Sequence, residues 1–343
     1  MKPAHSIAIT RIAELAGVST ATVSKVFNGR SDVAAETRAA VEKIMLSHGY
    51  QPRTRFATAP LLELILHELN GPYAMEVIRG AERAADTHRM ALVVSDLGGK
   101  HVPDGKWIEN TLYRRSRCVV AVLCGPSEHQ LAQLTGRAIP VVMVDPLTEP
   151  DPVIPTVHAA NRDGGLAATR HLLELGHRRI AVITGPSDVL SGRARLDGYV
   201  AAHDAAGVPL DPALVREGDY QVEEGRRHAL DLLGLPEPPT AVFACNDAQA
   251  LGVYQAAYDR GLRVPDDLSV VGFDDLPLAK WVTPGLTTVR QPLSDMAAEA
   301  ALMAIRMAHG ESPAQHRIVL PTPLVHRGST APPRRGTAPT GRP

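Results

Sequence analysis

The side chains most suited to chemistry on another molecule cluster near the start of the chain, in the run Thr20-Ala21-Thr22-Val23-Ser24-Lys25. Thr20 and Ala21 offer methyl groups that can meet the methyl of thymine. Lys25, one helical turn beyond Ala21, can donate to guanine O6 and N7. Thr22, Ser24 and Asn28 suit phosphate oxygens, contacts that fix register without reading sequence. Each has a plainer use: local backbone hydrogen bonding for Thr22 and Ser24, and a solvated surface charge for Lys25.

These residues need a rigid support, and the flanking sequence spells one. Ile12, Leu15 and Ala16 recur at helical spacing, and Gly17 follows, able to turn left-handed without steric cost. Ser19 stands at an N-cap position, and Val23, Val26 and Phe27 line one face of the next helix. Helices this short do not hold alone in water, so a third must pack on them. Thr37–His48 supplies it, with Val41, Ile44 and Met45 as its stripe. Three small helices with a Gly-Val-Ser turn make a helix-turn-helix, whose second helix enters the DNA major groove.

A chain of 343 residues exceeds one ordinary domain. Its net charge of −1 argues against nucleic acid until the distribution is read. Up to residue 60 the basic residues are Lys2, Arg11, Lys25, Arg30, Arg38, Lys43, Arg53 and Arg55, against the acids Glu14, Asp32, Glu36 and Glu42. That segment is therefore basic and the remainder acidic, which concentrates attraction for phosphate at one end. Cys118, Cys124 and Cys245 are scattered through apolar runs and read as buried free thiols rather than a disulfide framework. No Cys/His grouping has metal spacing, and His67-Glu68 lacks the following histidine of a zinc-protease helix. No apolar leader or membrane-length run is present, so the expectation is a cytoplasmic protein with neither cofactor nor metal and no membrane association.

The organisation expected is residues 1–50 as the helical head, 51–60 as a proline-bounded hinge or linker, and 61–330 as a body, with 331–343 a Pro- and Gly-rich disordered tail. From Leu61 short apolar runs alternate with amphipathic stretches: ALVVSD, CVVAVLCG and PVVMVD, then RIAVITG, AVFACND and LSVVGFDD. Strand alternating with helix signals parallel sheets covered on both faces, here in two α/β lobes of similar size.

Particular motifs resemble the LacI/GalR transcriptional regulators over essentially the whole length to Thr330. They are IAELAGVSTATVSKVFNG, VAAETRAAVEKIMLSHGYQP, GGLAATRHLLELGHRRIAVITGP with RARLDGY, FACNDAQALGV, VPDDLSVVGFDD with PGLTTVRQP, and LPTPLVHRGST. The resemblance implies an all-α helix-turn-helix headpiece on an α/β two-lobed core similar to periplasmic sugar-binding proteins. It further implies a homodimer, with a tetramer as the alternative, on a palindromic double-stranded operator, and a small effector in the cleft between lobes. Crossovers are implied near Ala160, Gln291 and Pro321. The N-lobe then takes about 61–160 and 291–321, and the C-lobe about 161–290 and 322–330.

Site residues follow from the same resemblance. Arg195 matches the family's effector-binding arginine, and Asp274 an aspartate that accepts ligand protons. Asn246 and Asp145 match other cleft positions, and Tyr220 a stacking aromatic. Tyr73 and Trp281 are added because aromatics are only 4% of residues and these two sit near expected loops. Asp247 and Asp275 read as stabilisers of turns or helix starts. The linker RTRFATAP departs from the family by lacking the Ala-Arg-x-Leu run of a hinge helix. Phe56 is its candidate wedge, and Arg53 and Arg55 are candidates for minor-groove charge.

The set suits a neutral sugar or short oligosaccharide as effector of a repressor, with a purine or nucleoside as alternative. A solute-binding protein would explain the body but not the basic head. An enzyme on a doubly wound fold would need a nucleophile elbow, a P-loop or a Rossmann glycine set, none of which is in the sequence.

Overall fold

The first helix, α1 (Ile9–Ala16), stops at Gly17, whose φ of +65° is the left-handed turn that glycine takes freely. The amides of Gly17 and Val18 bond back to the carbonyls of Glu14 and Ala13, a Schellman stop. In the computed structural model, residues 9–27, 33–47 and 60–334 are described. Ser19 Oγ accepts the Thr22 amide at 3.0 Å and so starts α2 (Thr20–Phe27). With α3 (Ala35–Ser47) these helices bury Ile12, Ala13, Val23, Val26, Val41 and Met45. One expected stripe residue stays out: Leu15 is 42% exposed, and Ala13, on the other side of Ile12, is buried in its place. Ala13 lets α1 approach its neighbours closely where a leucine would hold it away.

The described chain forms two units. The first holds the head, the chain up to Pro146, Pro150–Val157 and Ser294–Ile318; the second holds Leu147–Glu149, His158–Leu293 and the chain from Val319.

In the first unit the head is followed by β1 (Leu61–Leu66), α4 (Gly71–Thr87), β2 (Ala91–Asp96), α5 (Gly105–Arg114), β3 (Cys118–Val122), α6 (Glu128–Thr135), β4 (Val141–Val144) and β5 (Thr156–Ala159). The second unit continues with α7 (Asn161–Glu174), β6 (Ile180–Thr184), α8 (Leu190–Ala206), β7 (Val215–Glu217), α9 (Val222–Leu233), β8 (Ala241–Ala244), α10 (Asp247–Asp259), β9 (Ser269–Asp274), α11 (Leu278–Trp281) and β10 (Thr287–Arg290). The chain then runs through α12 (Leu293–Ala308), β11 (Arg317–Leu320) and β12 (Leu324–Val325).

The first sheet has the order β11-β5-β4-β3-β1-β2. Its central strands are apolar runs because helices cover both faces of a parallel sheet. Glu63 breaks that rule in the middle of β1, where it is fully buried. It is tolerated because Arg114 ion-pairs with it, Ser116 Oγ donates at 2.8 Å and Ser95 Oγ at 3.2 Å.

The second sheet has the order β12-β10-β9-β8-β6-β7. Its strands pair in parallel except β12, which runs antiparallel to β10 with Thr288 opposite Val325. Glycines set its helix crossings. A Cβ on Gly198 of α8 would lie 2.2 Å from the Arg162 carbonyl of α7, and one on Gly165 equally close to the Arg195 carbonyl. A Cβ on Gly252 of α10 would lie the same 2.2 Å from the Val222 carbonyl of α9. Gly198→Ala is expected to force α7 and α8 apart and to cost about 1–3 kcal/mol in urea unfolding. Wild-type stability in that variant would show that the crossing yields.

The end of the described chain is held against this sheet. The Ala331 amide donates to Ser269 Oγ at 3.0 Å and its carbonyl lies 2.9 Å from His177 Nε2, while Arg334 pairs with Asp266 and Asp267. Residues 331–334, expected to belong to a disordered tail, are thus tied down by hydrogen bonds and charge; 335–343 lie outside the described residues. Burial lowers the His177 pKa below its ordinary 6.5, and His171 and His203 are lowered for the same reason. A histidine with a depressed folded pKa binds its proton more readily when unfolded. Stability therefore holds above about pH 6.5 and falls as pH drops below it. The unfolding temperature should decline through that range, and less steeply in His177→Asn; identical pH profiles would contradict this.

Candidate functional site

The head presents one exposed face. Thr20, Ala21 and Lys25 are exposed on α2, Thr22 and Ser24 are half-buried, and Val23 and Val26 point into the core. Thr22 takes the plainer of its two uses in part, with its hydroxyl 2.9 Å from Ser19 Oγ. Thr20, Ala21 and Lys25 are therefore carried on a helix fixed by its opposite face. Asn28, Arg53, Arg55 and Phe56, also expected at DNA, lie outside the described residues.

A further residue touches this helix, and its signal was not legible in the sequence. Arg137, beyond α6, donates through Nη2 to the Val26 carbonyl in the last turn of α2 at 3.0 Å. Gln133 of α6 reaches Glu42 of α3 at 3.3 Å. Burial brings the Arg137 pKa down to about 10, with Glu42 opposing the shift. A cation over the carbonyl end of a helix favours the helix dipole.

The second cluster lies at the carboxyl ends of the strands of the second sheet, the place where open α/β sheets bind ligands. Arg195, on α8 and almost wholly buried, is its centre. Its Nε donates to Asn161 Oδ1 at 2.8 Å, Nη1 to the Cys245 carbonyl at 2.5 Å, and Nη2 to Gln291 Oε1 at 2.9 Å. Asp274 lies 3.7 Å from Nη1. The guanidinium stacks on Phe273, 3.7 Å from the ring centroid, and stands 6.0 Å from that of Tyr220. A buried arginine is stable here because three of its donors reach acceptors and a carboxylate offsets its charge.

Backbone strain marks the same place. Tyr220, Asp274 and Asp275 have φ of +68°, +112° and +59°, which non-glycine residues adopt at a cost. Tyr220 closes over Gly185, where a Cβ would lie 1.9 Å from its ring, so only glycine admits the ring. Asn246 spans the gap between Tyr220 and α10: its Nδ2 donates to the Tyr220 carbonyl at 2.9 Å and its Oδ1 accepts the Gln249 amide at 2.8 Å.

That second bond settles which of two neighbours caps the helix. Asn246, not Asp247, caps α10. Asp247 turns inward, accepting the Leu276 amide at 2.7 Å and the Thr288 hydroxyl at 2.5 Å. Burial, and then the charge of Asp274, push its carboxyl well above the usual carboxylate range. Asp275 is tied by ion pairs to Arg290 and Arg327.

The second unit thus brings together Arg195, Tyr220, Asn246 and Asp274. It leaves Trp281 out, 75% exposed on α11. Tyr73, in the first turn of α4, and Asp145, buried at the end of β4 with a φ of +42°, belong to the first unit. Asn161, Gln291 and Phe273 were not legible as site residues. Their only sequence signal is position, immediately before or after an element end.

A model of bacterial regulatory proteins of the lacI family matches residues 8–53, and one of a periplasmic binding protein-like domain matches residues 169–330. The chain is 33% identical over 332 residues to the HTH-type transcriptional regulator DegA of Bacillus subtilis (strain 168), covering 94% of this chain and 97% of that protein. Among solved structures it is similar to a transcriptional regulator CelR-cellobiose complex, with a TM-score of 0.72, 32% identity and coverage of 94% and 99% of the two chains. It is also similar to the lac repressor dimer bound to operator and the anti-inducer ONPF, with a TM-score of 0.70, 27% identity and coverage of 95% and 99%. With a helix-turn-helix at its start and two α/β units of mainly parallel sheet following in the chain, it belongs to the LacI family of DNA-binding transcriptional regulators.

Proposed function

We propose that the protein is a repressor that binds a palindromic operator as a homodimer and adjusts its grip to a sugar or short oligosaccharide. The observation that carries the effector half is the buried Arg195–Asp274 pair beside Tyr220 at the strand ends. Such a pair donates to and accepts from the hydroxyls of one sugar ring, while an aromatic face covers the ring's apolar side. Arg195, Asp274, Tyr220 and Asn246 are the effector residues of the second unit; Tyr73 and Asp145, on the first unit, are candidates for the same ligand class. The CelR relative holds cellobiose, which supports the same ligand class here.

On DNA, Thr20, Ala21 and Lys25 read base edges, and Thr22 and Ser24 fix register on phosphate. Identical heads in a symmetric dimer match an inverted repeat, and the lac repressor neighbour is a dimer on its operator. The protein works by binding rather than by catalysis, on DNA in the cytoplasm. Among the described residues no helix is long and apolar enough to cross a membrane.

The decisive experiment is a gel shift of full-length protein on DNA upstream of its own gene, with ribose, cellobiose, other oligosaccharides and a nucleoside as challenge. A specific complex altered by one sugar is the expected outcome. Alteration by the nucleoside alone would reassign the effector class, and no preference for upstream over random DNA would remove the regulator reading for that site.

A further inference from the structure

Besides the short excursion of Leu147–Glu149, the chain passes between its units at Val157–His158, Leu293–Ser294 and Ile318–Val319. On the second unit's side these passages are stitched to each other. The Ala160 amide donates to the Leu320 carbonyl at 2.9 Å, and Thr322 Oγ1 donates to the Ala160 carbonyl at 2.9 Å. The Arg290 amide donates to the Pro323 carbonyl at 2.8 Å, and the Gln291 amide to the Asp274 carbonyl at 3.2 Å. Asn161 stands just inside the first passage and Gln291 just inside the second.

Both of these side chains present an oxygen to the same guanidinium, that of Arg195, at 2.8 and 2.9 Å. All three residues are buried, so water does not substitute readily for a lost partner. Arg195 therefore does two things with one set of donors. It is the cation of the candidate effector site, and it fastens the passages at Val157–His158 and Leu293–Ser294 to each other through a rigid fork.

We propose that Asn161 and Gln291 are positioning residues that fasten the inter-unit passages to Arg195, so that a ligand engaging Arg195 acts on the passages directly. The link to a ligand rests on the reading of Arg195 as an effector residue; the fastening itself does not. A planar guanidinium cannot turn toward a new acceptor without weakening bonds it already makes, because its five donors are fixed relative to one another. Recruitment of Arg195 by a ligand hydroxyl thereby changes the hold on Asn161 and Gln291. That supplies the differential contact without which no ligand shifts a conformational equilibrium.

Hydrogen–deuterium exchange on ligand-free full-length protein tests the fastening without any knowledge of the effector. Gln291→Ala and Asn161→Ala are expected to speed exchange at the backbone amides of positions 160, 290 and 291 by about tenfold, with β6 and β8 unchanged. Gln291→Glu and Asn161→Asp keep an oxygen for Arg195 and are expected to restore slow exchange. Wild-type exchange in both alanine variants overturns the proposal. So does equal loosening of β6 and β8, the mark of a general packing defect, or failure of the acidic variants to rescue. A protein that answers to no sugar would sink the effector reading and leave this result standing on its own.

Discussion

Replacing Arg195 by alanine is expected to abolish the effector response while operator binding survives, because the DNA-reading helix belongs to the other unit. The same change removes the donor from Asn161, Gln291 and the Cys245 carbonyl, and the countercharge from Asp274. Breaking a buried pair in this way costs about 3–5 kcal/mol, so the unfolding midpoint should drop as well. Arg195→Lys separates the two effects. Lysine keeps a positive charge near Asp274 but has no fork with which to reach three acceptors. That variant should fold with a smaller loss and still fail to respond. Operator titration by fluorescence anisotropy, with and without the active sugar, measures the response, and urea unfolding measures the fold. A full response in Arg195→Lys would show that the fork is not what the ligand needs.

Lys25→Ala is expected to weaken specific operator binding by about 1–3 kcal/mol, roughly five- to 150-fold in Kd, the usual worth of a bidentate contact to guanine. Affinity for random DNA should fall much less, since a single cation contributes only modestly to phosphate attraction. Discrimination at one base pair of each half-site should relax in step. A uniform loss on all sequences would make Lys25 a phosphate contact, and an unchanged operator profile would take it off the reading surface. Folding is unaffected in either case, because Lys25 is exposed and lies opposite Val23 and Val26.

Local devices of the head were legible for reasons that lie within a few residues. Gly17 follows a helical run, Ser19 precedes another, and Val23, Val26, Val41 and Met45 repeat at helical spacing; each serves in the structure as its local chemistry requires. Leu15 stays exposed despite its spacing, because spacing alone does not say which side of a short helix faces its neighbours. The parallel sheets were legible from buried strand runs, but β12 was too short, at two residues, to announce itself as antiparallel. Asn246 and Asp247 stand side by side after a strand, and both residue types cap helices. Only the approach of Leu276 and Thr288 from elsewhere in the chain decides which one turns inward.

Taken by itself, the amino-acid order determined a cationic three-helix head, alternating strands and helices behind it, and which side chains bear charge or hydroxyl at their ends. Period, capping and turn preference act between near neighbours, so they can be read in one dimension. Tertiary structure alone decided that Glu63 is tolerated in a buried strand, since Arg114 and Ser116 come from 51 and 53 residues away. It alone decided that Arg195 is shared between a candidate ligand site and two chain passages, through Asn161 and Gln291 at separations of 34 and 96 residues. A buried charge must find partners wherever folding brings them, and no local pattern records which distant residues those are.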